Sequence, residues 1–263
     1  MSRLRFIDTH CHFDFPPFKD QESQSLAQAT AAGVNGIIVP AVAAEYFERI
    51  MTLVDRFNGL YAALGMHPIV IEQHDEAGLA LLEHYLQAGH PRLVAIGEIG
   101  LDEYRANPMS ERQQDVLLSQ LKLADRYDLP VILHSRRTHD RLAAVLRRQP
   151  VARTGVVHGF AGSYQQAQAF IRLGYYIGVG GTITYERAAK TRTVMARLPL
   201  DRLLLETDAP DMPLAGFQGQ PNRPERAVLT FRALCGLRSE TPEQLAEALY
   251  QNSLRLFRLD QVP

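Results

Sequence analysis

Short apolar runs rich in β-branched residues punctuate the chain at near-even intervals: RLRFID, NGIIVPA, LYAALGM, RLVAIGE, LPVILHS, TGVVHGF, YYIGVGG and RLLLETD. They begin near Leu4, Asn35, Leu60, Leu93, Leu129, Thr154, Tyr175 and Arg202, so consecutive starts fall 21 to 36 residues apart, the size of a βα unit. The runs are nearly continuous in hydrophobicity rather than alternating, as expected of parallel strands buried on both faces. Between them, apolar residues recur at three- and four-residue steps over 25–32, 45–57, 112–127 and 140–148, which predicts helices; Gly33 and the pair Asn58-Gly59 supply stops. Thr241 as N-cap and Pro242 at the first helical position predict a closing helix on the barrel exterior. Eight such units fit a closed sheet better than an open one. The expected fold is therefore a single (β/α)8 TIM-type barrel spanning residues 1–263, with its active site at the C-terminal ends of the strands. The seventh run, YYIGVGG, is the weakest strand of the eight.

Composition narrows the class without changing the fold. A chain that is 46% hydrophobic and 22% charged is globular, not disordered. The start MSRLRFIDTHCH has no apolar signal core and no later run is long enough to span a bilayer, so a cytoplasmic protein with no membrane association is expected. Cys11 and Cys235 are too few for a disulfide framework and do not form a Cys-x-x-Cys pair. Net charge is −1, yet residues 1–133 carry 10 Lys+Arg against 18 Asp+Glu, whereas 134–232 carry 15 against 7. That basic half is compatible with an anionic substrate, and equally with arginines such as Arg147 and Arg148 on solvated helix faces. No exposed apolar stripe stands out, so no obligate protein partner is expected.

The candidate chemistry lies at the ends of the predicted strands. Side chains alternate along a strand, so Asp8, His10 and His12 should project together while the Cys11 thiol points away. Glu98, His134, His158 and Asp208 close strands four, five, six and eight. Four histidines and two carboxylates converging on one barrel face make a mixed nitrogen and oxygen ligand set suited to two divalent cations, with zinc, manganese and magnesium all admissible. Gly97 and Gly100 beside Glu98 are expected to leave room for a carboxylate bridging two ions. His67, at the end of strand three without a nearby carboxylate, is expected to contact substrate. Arg136 and Arg223 are candidate phosphate clamps, or else surface ion pairs with Asp140 or Glu225. Glu206 is expected to orient ligands, and His74, His84, His90 and His139 to lie on the surface.

The motifs DTHCH, GEIGLD, ILHSR, VVHGF and ETDAP, in this order over essentially the whole chain, resemble the TatD family of metal-dependent hydrolases. Residues 216–225, GFQGQPNRPE, resemble its YjjV-like branch. The resemblance implies one cation on His10, His12 and Asp208, another on His134 and His158, and Glu98 bridging them. It also implies a deoxyribonuclease of 3′-to-5′ exonuclease type acting on DNA or another phosphoester, with Asp208 and Glu98 as catalytic residues. Two positions depart from the family pattern: His158-Gly-Phe-Ala-Gly stands where many relatives have His-Cys-Phe-Ser-Gly, and Gly219-Gln-Pro-Asn222 where they carry Gly-Lys-Arg-Asn. The second removes cations that would grip phosphates. The same metal and water chemistry serves carbonyl centres, so small esters, lactones, amides and phosphoesters stand as alternative substrates. A non-catalytic nucleic-acid module is disfavoured by the near-neutral charge.

Overall fold

The computed structural model describes residues 4–261. Eight strands form one parallel sheet in sequential order: β1 (Phe6–Asp8), β2 (Val34–Pro40), β3 (Leu60–Leu64), β4 (Leu93–Asp102), β5 (Val131–Arg136), β6 (Gly155–Val157), β7 (Tyr176–Val179) and β8 (Leu203–Leu205). Each is followed by a helix: α1 (Glu22–Ala31), α2 (Phe47–Arg56), α3 (Glu76–Ala88), α4 (Ser110–Arg126), α5 (His139–Arg148), α6 (Tyr164–Arg172), α7 (Ala189–Arg197) and α8 (Ala227–Cys235). The eight-unit barrel expected from the rhythm of apolar runs is therefore present, including β7. No helix among the described residues is long and apolar enough to cross a membrane.

Closure of the barrel is also what assembles the site. β1 and β8 meet through backbone bonds just beyond their ends: Thr9 N–H donates to Leu205 O, Asp208 N–H to His10 O, and His12 N–H to Ala209 O, at 3.0, 2.8 and 2.7 Å. The segments that carry His10, His12 and Asp208 are thus zipped together by the ladder that closes the sheet.

Residues from every strand, from Ile7 and Ile38 through Ile132 and Val156 to Leu204, pack in a common cluster with Leu256, Phe257 and Leu259. The final helix, α9 (Pro242–Phe257), therefore does more than cover the exterior, because its end plugs the N-terminal mouth of the barrel. Its start is as expected: Thr241 and Gln244 form a reciprocal capping box ahead of Pro242. The glycines of β4 have a different purpose from the one expected. A Cβ on Gly97 would lie 2.6 Å from Ile132 Cβ, and one on Gly100, at φ +143°, 2.0 Å from His134 O. They let β4 and β5 approach closely and do not clear space for ions.

Candidate metal centre

Glu98 is the hub of the site. β4 does not end there but runs on to Asp102, and a register shift against β5 between Ile96 and Ile99 marks the place where Glu98 turns into the cluster. Its two oxygens face different histidines. Oε2 lies 3.1 Å from His10 Nε2 and 3.6 Å from His12 Nε2, while Oε1 lies 2.6 Å from His158 Nε2 and 3.0 Å from His134 Nδ1. Asp208 Oδ1 stands 3.5 Å from His10 Nε2 and 3.8 Å from His12 Nε2. β8 stops at Leu205, so Asp208 is placed by the β1 ladder and a left-handed backbone, φ +58°, rather than by strand alternation. All six proposed ligands are brought together.

Hydrogen bonds choose which ring nitrogen of His12 and of His134 faces the centre. His12 Nδ1–H donates to Pro40 O at 3.2 Å, which leaves Nε2 as the inward lone pair. His134 Nε2–H donates to Asp102 Oδ2 at 2.8 Å, leaving Nδ1 inward. Asp102 is buried and held by Gln113, which donates to its carbonyl and accepts from its N–H, and by the Tyr104 N–H on Oδ1. Sequence reasoning passed over it, although Glu98, Gly100 and Asp102 lie at alternate positions of one strand within the quoted GEIGLD motif.

His67 differs from expectation in having a carboxylate neighbour, with Nε2 2.9 Å from Glu98 Oε1. Its Nδ1 accepts the Ile69 N–H at 2.9 Å, so the neutral ring carries its proton on Nε2. Burial, only partly offset by Glu98, brings its pKa down to about 4, and it stands as a neutral N–H donor, not a lone-pair ligand. His74 is not on the surface; it is buried and donates from Nε2 to His67 O at 2.7 Å.

Asp8 is not part of the cluster, contrary to the alternation argument. Its carboxyl accepts from Thr207 N–H and Oγ1–H and from His10 N–H, and so braces the two segments that carry ligands. Burial pushes it up to about 8. Glu206, fully buried, accepts the Gly159 N–H at 2.5 Å and lies 4.0 Å from His158 Nδ1. A Cβ on Gly178 would sit 2.4 Å from Glu206 Oε2, so that glycine makes room for the carboxylate. Glu206 holds the loop of His158, in keeping with an orienting role.

The cluster's electrostatics and loose ends fit divalent cations. Burial lowers the His12 and His158 pKa values, but Glu98 and Asp208 outweigh it and push them up to about 9 and about 10. Burial favours a neutral Glu98, yet His158, His67 and His10 hold it well below the usual carboxylate range. Burial and the neighbouring His158 keep His10 neutral. Protons thus supply positive charge that cations would otherwise bring. Buried Glu98 Oε2, which faces the centre, finds no hydrogen bond of acceptable geometry, as a ligand oxygen awaiting another partner would. Three sets of ligand atoms lie within 4.8 Å of one another: His10, His12 and Asp208; His10, His158 and Glu206; and His67, Glu98 and His134.

The centre opens into a cavity of about 730 Å³ whose wall includes Arg136, Arg137, His139 and Lys190. Arg136 stacks its guanidinium 3.7 Å from the Tyr104 ring centroid, and Arg137 lies at 4.5 Å over the same ring. Arg136 lines the cavity, but Arg223 does not. Arg223 is tied to Glu225 by Nε at 2.6 Å and donates to Ser25 and Gln28, the ion pair that was its alternative. His139 is half-buried against Phe160 rather than free at the surface, and burial lowers it to about 4. Arg137 and Lys190 were missed because only the folded chain brings the start of α7 and the segment after β5 to one cavity.

The family described as TatD related DNase matches residues 7–258. The chain is 60% identical to the metal-dependent hydrolase YjjV of Escherichia coli (strain K12), across 97% of this chain and 98% of the relative. The crystal structure of that homologue superposes with a TM-score of 0.96 over 97% of this chain and 99% of the other. The 3′-5′ ssDNA/RNA exonuclease TatD of Erwinia billingiae (strain Eb661) is 33% identical over 92% of this chain and 95% of its own.

Proposed function

The chain belongs to the TatD family of metal-dependent hydrolases, and from that premise we propose that it cleaves phosphodiester bonds as a deoxyribonuclease of 3′-to-5′ exonuclease type. The observation that carries this reading is Glu98 in the cavity wall, one oxygen of which addresses His10 and His12 and the other His134, His158 and His67. His10, His12 and Asp208 would hold one divalent cation and His134 and His158 a second, with Glu98 common to both. Zinc, manganese and magnesium all suit such a donor set. Cations bound there acidify water, polarise the scissile phosphoryl group and stabilise the leaving oxygen.

The chain's own residues do the rest. Asp208, at the cavity wall, accepts the proton of the attacking water on its carboxylate. His67 donates from Nε2–H to a phosphoryl oxygen, the role left to it by the Ile69 N–H on its other nitrogen. Arg136, braced on Tyr104, holds a phosphate by its planar fork. Asp102 and Glu206 keep His134 and the His158 loop in position. The DNA assignment draws on the exonuclease relative at 33% identity.

A small phosphoester is the second reading. It is favoured by the last loop, where Gln220 and Pro221 carry no charge and Arg223 is already engaged by Glu225. Release of mononucleotides from 3′-labelled single-stranded DNA, by chelator-stripped protein with and without magnesium, manganese or zinc, tests the choice. Metal-dependent release that is abolished in a folded Asp208→Asn variant supports the nuclease. Release by Asp208→Asn removes the proton-accepting role, and no release under any metal moves the substrate to small phosphoesters, lactones and amides.

A further inference from the structure

A second concentration of positive charge lies at the opposite end of the barrel from the metal centre. Arg153 precedes β6, Arg202 precedes β8, and Arg255 and Arg258 come from the end of α9; together they line a cleft of about 450 Å³. Thr154, Gly174 and Tyr176, at the N-terminal ends of β6 and β7, complete its floor. Among the described residues, the cleft wall contains no carboxylate.

Of the four arginines, only Arg258 has a close carboxylate partner. Arg153 donates to Leu256 O at 2.6 Å and Arg202 to Gly174 O at 3.1 Å, so two backbone carbonyls fix their direction. Arg255 has a long bond to Asn252 Oδ1, at 3.3 Å. Asp128, outside the cleft, holds Arg258 at 2.8 Å, and the same oxygen lies 4.0 Å from Arg153. The Arg153 side chain is only 14% exposed, so its guanidinium is largely withdrawn from water without a close counter-ion. Each guanidinium has five N–H donors, and these bonds use a fraction of them. A concave cleft holding four like charges concentrates its field on whatever anion enters.

The cleft adjoins a slot with an apolar wall. This smaller cavity, of about 210 Å³, is walled by Leu93, Leu129, Pro130 and Phe257, carries the carboxylate of Asp128 at its edge, and shares Arg153 and Arg258 with the cleft. We propose that this N-terminal face binds a small phosphate monoester, its phosphate among Arg153, Arg202, Arg255 and Arg258 and its apolar or ring-bearing body in the adjoining slot. Guanidinium forks match phosphate oxygens in pairs, and the slot accounts for a non-polar body. The site is separate from the metal centre and does not depend on which bond that centre cleaves. It also gives Arg153 and Arg202, two of the cations behind the basic charge of residues 134–232, a location away from the catalytic face.

The test is a titration of the metal-loaded enzyme with phenyl phosphate and with inorganic phosphate, reading the backbone amide NMR shifts of Thr154 and Gly174. These amides report the cleft even if the same probes also enter the metal centre. Both probes should give saturable shifts, with phenyl phosphate the tighter. Arg255→Gln with Arg258→Asn removes two exposed guanidiniums and keeps a residue that tolerates the left-handed backbone at position 258. This pair should weaken binding by about tenfold or more, as loss of charge-assisted hydrogen bonds does. Arg136→Gln should leave the Thr154 and Gly174 shifts unchanged. Shifts that survive the double substitution, or no saturation by about 10 mM of either probe, overturn the site. Equal affinity for the two probes removes the slot from it.

Discussion

Asp102 and His67 show how a few hydrogen bonds divide histidines of similar placement into different roles. Asp102 accepts the hydrogen bond from His134 Nε2–H and is itself fixed by Gln113 and the Tyr104 N–H, so it sets the direction of the inward Nδ1. Asp102→Asn should lower metal affinity by about 10- to 100-fold while activity at saturating metal largely returns, as found for partners that orient a ligand. Metal titration followed by assay checks both parts. His67 is protonated on the nitrogen that faces the centre, because its other nitrogen accepts the Ile69 N–H. His67→Ala should therefore retain its metal content and raise KM by about tenfold, the value of one lost charge-assisted contact. Metal loss in that variant would make His67 a ligand. The sequence placed His67 at the end of its strand and passed over Asp102, and neither tautomer was legible because each depends on a hydrogen bond that forms only on folding.

Among the elements, α9 and β4 were legible to different degrees. The helix start at Thr241-Pro242 is encoded locally, since a cap needs only its own side chain and the next turn. Thr241→Ala should cost about 1 kcal/mol, or a fall in Tm of about 2–4 °C for a domain near this size, readable by thermal unfolding. The destination of that helix was not local. Leu256, Phe257 and Leu259 look like any apolar stripe in sequence, yet they close the barrel floor instead of lying only on its flank. In β4, Gly97 and Gly100 read as space for metal, whereas Ile132 and the His134 carbonyl occupy the space their side chains would need. A glycine announces close approach without naming what approaches.

For the whole molecule, the metal centre couples stability to pH. His12 and His158, raised to about 9 and about 10, contribute stability that is complete below their ordinary value near 6.5 and is lost as pH rises through the folded values. Burial-raised Asp8 and Glu206, at about 8 and about 7, act in the same direction at lower pH. Chelator-treated protein should therefore lose Tm between pH 7 and pH 10, and bound zinc or manganese should flatten that loss while releasing protons on binding. Calorimetry in buffers of different ionisation enthalpy counts those protons; a metal-independent Tm profile would argue that cations do not replace them. The sequence by itself determined the eight βα units, the start of the last helix and the six convergent candidate ligands, because apolar periodicity, a cap and chemically distinctive residues at strand ends are local signals. Tertiary structure alone decided that Asp8 braces the β1 and β8 segments, that Arg223 reaches Ser25 and Gln28 and not the cavity, that Arg137 and Lys190 share the cavity wall, and that four arginines meet on the opposite face. These outcomes depend on distances between segments far apart in the chain, which are set only when β1 and β8 join and the barrel closes.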